Sequence, residues 1–467
     1  MALDRPAVLD ACAYVDTWLR FWVGFDRLPG VQASVLHDHD IVLATAHGHA
    51  DLESATPLTT AHRFRIASHS KTFTATAVVQ LAEQGRLRLD DTVGQWLDGL
   101  QGPLAPVTLR ELLAHAGGVV RDGWDGDHWQ LVRPFPDATT LRRIAEDDAA
   151  VLPRNERFKY SNIGYSLLGA VIEAVTRRPF AEHARAALLD PLELRATSPE
   201  LEAADDHATG YSALAYAAER IPFDHIATGA MAAATGFSST ASDLVRWAAA
   251  HFHGDDRLLS DDGKRQMQRT EWSVTGGGEY GLGFAIAKVG DRRVLGHGGG
   301  FPGFITRTWF DPLDRLAVSV LTNAIDGPAL VLANGAVRLI DLAARNGDEP
   351  GAGPPGTDLS SYTGRFASVW GVVDVAALGG RLYALDPTLD DPVTTAQRLE
   401  VVDADTLRIA DAPGYASPGE RFVYDRADDG SVRAVRGGSG STALPFETFA
   451  AAHARRDRIR LGHRLVP

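Results

Sequence analysis

The stretch Ile66-Ala67-Ser68-His69-Ser70-Lys71-Thr72-Phe73-Thr74-Ala75 reads as a short strand or turn that runs into a helix. Apolar residues recur at helical spacing through Phe73, Ala77, Val78 and Leu81, and Gly85 supplies a stop. Ser68 and Lys71 are three apart and so share one face of the first turn. Backbone N–H groups point outward there, and the helix dipole is positive. A lysine buried in that setting sheds its proton more easily and can then accept the Ser68 proton. An alcohol is a weak nucleophile without such a neighbour. Ser-x-x-Lys alone more often marks an N-cap followed by a solvated lysine. Composition argues otherwise here. Lys71, Lys159, Lys264 and Lys288 are the only lysines among 46 Lys+Arg. Where arginine carries nearly all the positive charge, a retained lysine points to a task arginine cannot perform, such as losing a proton.

The totals narrow the function classes. At 467 residues the chain is too long for one small core, and two domains are expected. A net charge of −14 argues against a nucleic-acid partner. The single cysteine, Cys12, excludes an intrachain disulfide and a thiolate metal cage. The opening Met1-Ala-Leu-Asp-Arg-Pro lacks a basic region followed by an apolar run, and no apolar run approaches a membrane span. The expectation is a cytoplasmic protein with no membrane partner.

In chain order, residues 8 to 24 suggest an amphipathic helix, and Val31–Leu36 with Ile41–Thr45 suggest a hairpin around His37-Asp-His-Asp40. His37, His39, His47 and His49 read as polar surface rather than as a ligand set. Thr108 and Glu111 form a capping box for a short helix that ends before Gly117-Gly118. Residues 121 to 137 form a long loop rich in Gly, Pro and Trp, the kind that carries function. In it, Trp124 and Trp129 either wall a pocket or pin the loop to the body. Tyr160-Ser161-Asn162 opens another helix. A tyrosine there can pass a proton, and an asparagine amide can hold a peptide-like substrate. Residues 236 to 250 give a further capped helix. Residues 280–286, 293–300, 305–310 and 316–322 read as strands of an antiparallel meander, the first two glycine-rich. Residues 346–357 are a linker by composition, followed by short alternating strands with glycine turns, an all-β domain best read as a small barrel. A basic tail, from Arg455 to Arg464, closes the chain.

Ser68-x-x-Lys71, Tyr160-Ser161-Asn162 and His297-Gly298-Gly299, in that order, resemble the three active-site motifs of the penicillin-recognising serine enzymes. These are class C β-lactamases, low-molecular-weight penicillin-binding proteins, and related esterases and D-aminopeptidases. The intervening Leu109-Arg-Glu-Leu-Leu-Ala-His-Ala-Gly-Gly118 and Gly296-His-Gly-Gly-Gly-Phe-Pro-Gly303 are similar too, so the resemblance spans residues 30 to 325. It implies an α+β catalytic domain of the β-lactamase/transpeptidase type over residues 1–345, then a lipocalin-like β-domain over 358–467. It makes Ser68 the acylated nucleophile, Lys71 its base, Tyr160 a second proton carrier and Asn162 the holder of the acyl amide. The backbone N–H groups of Ser68 and Gly300 become the oxyanion hole. His297 stands where class C β-lactamases have the lysine of Lys-Thr-Gly, which points away from β-lactamase activity. No metal or organic cofactor is implied.

The β-domain also resembles that of the penicillin-binding-protein-type thioesterases, stand-alone peptide cyclases that take a nonribosomal peptide from its carrier protein and close it head to tail. That resemblance implies a peptidyl (thio)ester substrate on a peptidyl carrier protein and macrolactam formation. Hydrolysis of D-residue amides or simple esters shares the acyl-enzyme and differs only in the attacking group. In the basic tail, Arg460 and Arg464 are candidates to hold the closing peptide by bidentate contacts.

Overall fold

A computed structural model describes residues 3–453 apart from 148, 203–205, 345–350, 355, 415 and 439. By internal contact these residues fall into two units, 26–333 and, from both ends of the chain, 1–25 with 334–467. This grouping is not linear, whereas the sequence-based division at 346–357 is. Half of that linker stretch, 346–350 and 355, lies outside the described residues.

The larger unit is built on one antiparallel sheet. Its strands are β1 (Gly30–His37), β2 (Asp40–Asp51), β3 (Thr56–Pro57), β4 (Trp272–Ser273), β5 (Glu279–Tyr280), β6 (Ala285–Val289), β7 (Arg292–Phe301), β8 (Phe304–Asp311) and β9 (Leu316–Thr322), in the order β3-β2-β1-β9-β8-β7-β6-β5-β4. The central strands β1 and β9 are buried along their whole length, and their polar members Gln32, Ser34 and Ser319 are hydrogen-bonded there. His37, read from the sequence as hairpin surface, is 3% exposed at the end of β1. The stretch 280–286 is not one strand. Gly283 turns it at φ +84, where any Cβ would collide with Ala75 of the helix described next.

That helix, α1 (Ser70–Glu83), is preceded by a 3₁₀ turn, Ala67–His69. It is buried on almost every side. Phe73 stacks on Phe237 and Trp247 with ring centroids 4.5 and 3.8 Å apart. Each such fully buried ring contributes about 1.5–3 kcal/mol. The capped helix Leu109–Leu113 forms with Thr108 and Glu111 as expected. The helix α2 (Asn162–Thr176) starts at Ser161, whose hydroxyl accepts from Gly164 N at 2.9 Å. The helix α3 (Ala241–Ala249) is capped by Thr240 and lies on β1, β8 and β9. The helices Ala138–Asp147 and Ala329–Ala344 had no counterpart in the sequence reading.

In the smaller unit, eight strands from Gly364–Ser368 to Thr442–Pro445 close into an antiparallel barrel. Its interior is filled by residues such as Phe366, Leu382, Leu407 and Tyr424. The amino-terminal helix Arg5–Phe25 belongs with it. Tyr14 Oη donates to Asp374 Oδ2 at 2.8 Å, and Trp18 Nε1 donates to the Pro387 carbonyl at 3.0 Å. Arg365 holds the same Asp374 by two 2.7 Å bonds and stacks on Phe21. Among the described residues, no helix is long and apolar enough to cross a membrane.

Candidate active site

Ser68 sits in the 3₁₀ turn, directly before α1. Its predecessor Ala67 is fully buried and held at φ +45. A non-glycine residue in that region costs of the order of 1–3 kcal/mol and needs surroundings that hold it there. Ser70 supplies one restraint. Its hydroxyl donates to the Ala67 carbonyl at 2.5 Å and accepts from Phe237 N at 3.0 Å. His69 supplies another, bridging from the Ile66 carbonyl to the Thr308 hydroxyl of β8 at 3.0 Å. Burial lowers its imidazole to about 3, so it is a neutral structural group. Neither residue was singled out in the sequence.

Lys71 has no exposed surface. Its Nζ reaches three oxygens: Asn162 Oδ1 at 2.7 Å, the Ala234 carbonyl at 2.9 Å and Ser68 Oγ at 3.2 Å. Burial holds the amine well below its usual range, against the upward pull of Asp122 and with the help of Arg121. The first two partners can only accept, so they take two N–H bonds. In the neutral amine the remaining lone pair is then the group that faces Ser68 Oγ.

Asn162 is the first residue of α2 and 3% exposed. Its Nδ2 donates to Asp122 Oδ1 at 2.6 Å, and the same oxygen accepts from Trp129 Nε1 at 3.0 Å. Trp129 therefore pins the loop, packing also against Phe135 and Phe301. Trp124 is 76% exposed and lines a separate cavity of about 540 Å³ with His128, Arg133, Phe135 and Ile144. Asp122 is the residue in this loop that sequence reading passed over. Its signal was present in the neighbouring tryptophans, but nothing in the sequence showed which acid would turn inward.

Tyr160 faces Ser68, and burial raises its phenol above the usual range. Lys71 Nζ lies 4.8 Å from its ring centroid. His115, at the end of the capped helix, accepts from Ser161 N at 3.1 Å and packs against the Tyr160 ring at 4.3 Å. It holds the Tyr160–Asn162 turn in place.

The third motif lies on β7. His297 is 6% exposed, with Nδ1 2.6 Å from the Gly298 carbonyl and Nε2 3.1 Å from Tyr280 Oη. Gly299 passes so close to the Ile66 carbonyl that a Cβ there would collide with it. This contact sets β7, and hence Gly300, beside the turn that carries Ser68. The strand β6 pairs with β7 only from Arg292 to Gly296. Among the described residues, the same edge from His297 to Phe301 carries no strand. The structure thus brings Ser68, Lys71 and Asn162 into one hydrogen-bonded group with the Tyr160 ring beside it, and places His297 and Gly300 on the adjoining strand. Arg460 and Arg464 lie outside the described residues.

A family model described as Beta-lactamase matches residues 23–342. A penicillin-binding protein of Bacillus subtilis (strain 168) is 27% identical over 284 residues, 57% of this chain and 62% of that protein. The chain thus spans less than two thirds of that relative's length. The crystal structure of SurE superposes with a TM-score of 0.62 at 26% identity, covering 93% of this chain and 99% of SurE. A D-stereospecific amidohydrolase from Streptomyces sp. superposes at 0.59 and 26% identity, covering 71% of this chain and 97% of its own.

Proposed function

The chain belongs to the beta-lactamase family, and from that premise we propose that it is a serine hydrolase or acyltransferase working through an acyl-enzyme on Ser68. The observation that carries this is the set of partners of the Lys71 amine. Two acceptors fix it, burial favours its neutral form, and its third position faces Ser68 Oγ at 3.2 Å.

Lys71 then takes the Ser68 proton as Oγ attacks the substrate carbonyl. The developing oxyanion is met by the N–H groups of Ser68 and Gly300. Tyr160, facing Ser68, relays a proton to the leaving group. The unpaired half-edge of β7 accepts the acyl chain as an added strand, and its glycines let a ligand backbone lie close. Asn162 has its amide nitrogen engaged by Asp122, so its contribution is to hold Lys71, and substrate contact there requires a change of partner.

For substrate, we favour a peptidyl (thio)ester presented on a carrier protein and released by head-to-tail closure. The support is the resemblance to penicillin-binding-protein-type thioesterases, together with a likeness to SurE that extends over 93% of this chain. The second reading is hydrolysis of D-residue amides or esters, favoured by the likeness to the Streptomyces amidohydrolase. Incubation with a peptidyl thioester mimic followed by mass spectrometry separates them. A cyclic product supports the first and a linear acid the second. An unchanged substrate, with no fluorophosphonate labelling of Ser68, overturns both. Ser68→Ala is expected to abolish that labelling without lowering the melting temperature, and equal labelling of the two proteins would overturn the assignment of Ser68.

A further inference from the structure

His297 stands in the motif position of a lysine, but both of its ring nitrogens already have partners within the protein. Nδ1 lies 2.6 Å from the Gly298 carbonyl oxygen. That oxygen can only accept, so Nδ1 carries a proton. Nε2 lies 3.1 Å from Tyr280 Oη. The imidazole is held in its neutral form by burial, so Nε2 carries a lone pair and the Tyr280 hydroxyl donates to it.

A second arrangement has to be weighed. Tyr280 Oη also faces Tyr165, whose own proton goes to the Leu113 carbonyl at 2.6 Å. Protonating His297 at Nε2 would give an unbroken chain from His297 through Tyr280 and Tyr165 to Leu113. It would also set the Nδ1 lone pair against a carbonyl lone pair at 2.6 Å. That separation fits a strong hydrogen bond and is repulsive between two acceptors. The Nδ1–H form therefore prevails.

We infer that Tyr280 is a positioning residue, which donates to Nε2 and so anchors the Nδ1–H imidazole of His297 where it pins the Gly298 carbonyl. The Gly298–Gly299 peptide leads straight to Gly300. Gly299 has no free space on the Ile66 side, so rotation of that peptide would displace the Gly300 N–H relative to Ser68. The role of the Tyr280–His297 pair is thus to aim the oxyanion donor, with proton transfer left to Lys71 and Tyr160. This rests on the assignment of Ser68 and Gly300 made above.

The test uses the full chain labelled with ¹⁵N-histidine. Long-range ¹H–¹⁵N correlation identifies the His297 ring by its loss in His297→Gln. The expected pattern is a protonated Nδ1 and a lone-pair-bearing Nε2. A protonated Nε2 in the unsubstituted protein would overturn the inference, whatever the enzyme does. Tyr280→Phe removes one hydroxyl from a buried ring and is expected to leave Nδ1 protonated while shifting the Nε2 resonance, which loses its donor. With p-nitrophenyl butyrate as substrate, kcat should fall about tenfold, the scale of one lost hydrogen bond, while KM changes less than about twofold. A Tyr280→Phe protein with unchanged kcat would also overturn the inference. Absence of fluorophosphonate labelling would instead remove the reading of Ser68 and leave the tautomer result standing.

Discussion

Asn162 donates its amide Nδ2 to Asp122 Oδ1 at 2.6 Å, which turns its carbonyl oxygen to Lys71 Nζ at 2.7 Å. One side-chain amide therefore couples a carboxylate on the long loop to the candidate base. The carboxylate raises the proton affinity of the amine and burial lowers it, and burial is the larger effect.

Asp122→Asn should move the acid limb of the pH profile of kcat/KM to lower pH. The reaction needs a neutral amine, so the rate rises with pH through the Lys71 pKa of the folded protein. Removing the Asp122 charge lowers that pKa further. Asparagine keeps an acceptor oxygen for Asn162 and Trp129, so the geometry is retained. A limb that stays in place or moves upward would show that Asp122 does not act on Lys71.

Lys71→Arg should be nearly as damaging as Lys71→Ala, each lowering kcat by at least about 100-fold. Arginine fills the space but carries a fixed charge and cannot give up a proton. Steady-state turnover of an activated ester measures this. Near-normal turnover by Lys71→Arg would reduce Lys71 to an ion-pairing role.

Lys71→Met should stabilise the protein while abolishing activity. The amine has a lower pKa folded than unfolded, so between those two values the unfolded chain binds the extra proton and stability rises with pH. Above the unfolded value, near 10.4, both states are neutral and the penalty vanishes. At neutral pH the substitution should raise the melting temperature by a few degrees, and the gain should shrink as the pH approaches 10. Thermal melts at the two pH values measure the difference.

Gly299→Ala should lower stability by about 1–3 kcal/mol, the scale of an overpacked site, because its methyl group meets the Ile66 carbonyl. It should slow fluorophosphonate labelling as well, since the same contact sets the Ser68 turn. Gly300→Ala is the comparison, as its Cβ would meet only Ile305 Cδ1 at 3.5 Å. Equal denaturant midpoints for the two variants would show that β7 yields freely at this point.

Ser68, Lys71, Tyr160, Asn162 and His297 were legible because each lies in a short motif whose residue types state their chemistry. The capped helix at Thr108 and the closed barrel were legible for a related reason, since caps and strand alternation are local patterns. What was hidden depends on contacts across the chain. Asp122 and Asn162 are 40 residues apart, Tyr280 and His297 are 17 apart, and His69 reaches Thr308 over 239. No local pattern marks which acid or phenol will turn inward. The split of 280–286 was hidden for the same reason, because Gly283 answers to Ala75 on a distant helix. The helix Ala329–Ala344 is buried along much of its length, so its sequence lacks the polar stripe that signals helical period.

The smaller unit draws on both ends of the chain, and this sets a timetable for biosynthesis. Tyr14 and its acceptor Asp374 are separated by 360 residues. At ribosomal speeds of about 5–20 residues per second, the amino-terminal helix waits on the order of 20–70 s for that partner. Throughout that interval the side chains of Trp18 and Trp22, buried in the finished protein, present a sticky stripe to the surroundings. Residues 26–333 can meanwhile complete their sheet. The larger unit is thus an insertion that matures inside an unfinished host, and a chain cut at the linker would leave that helix orphaned. Expression yield and chaperone demand, rather than turnover, are where such a truncation would be felt first.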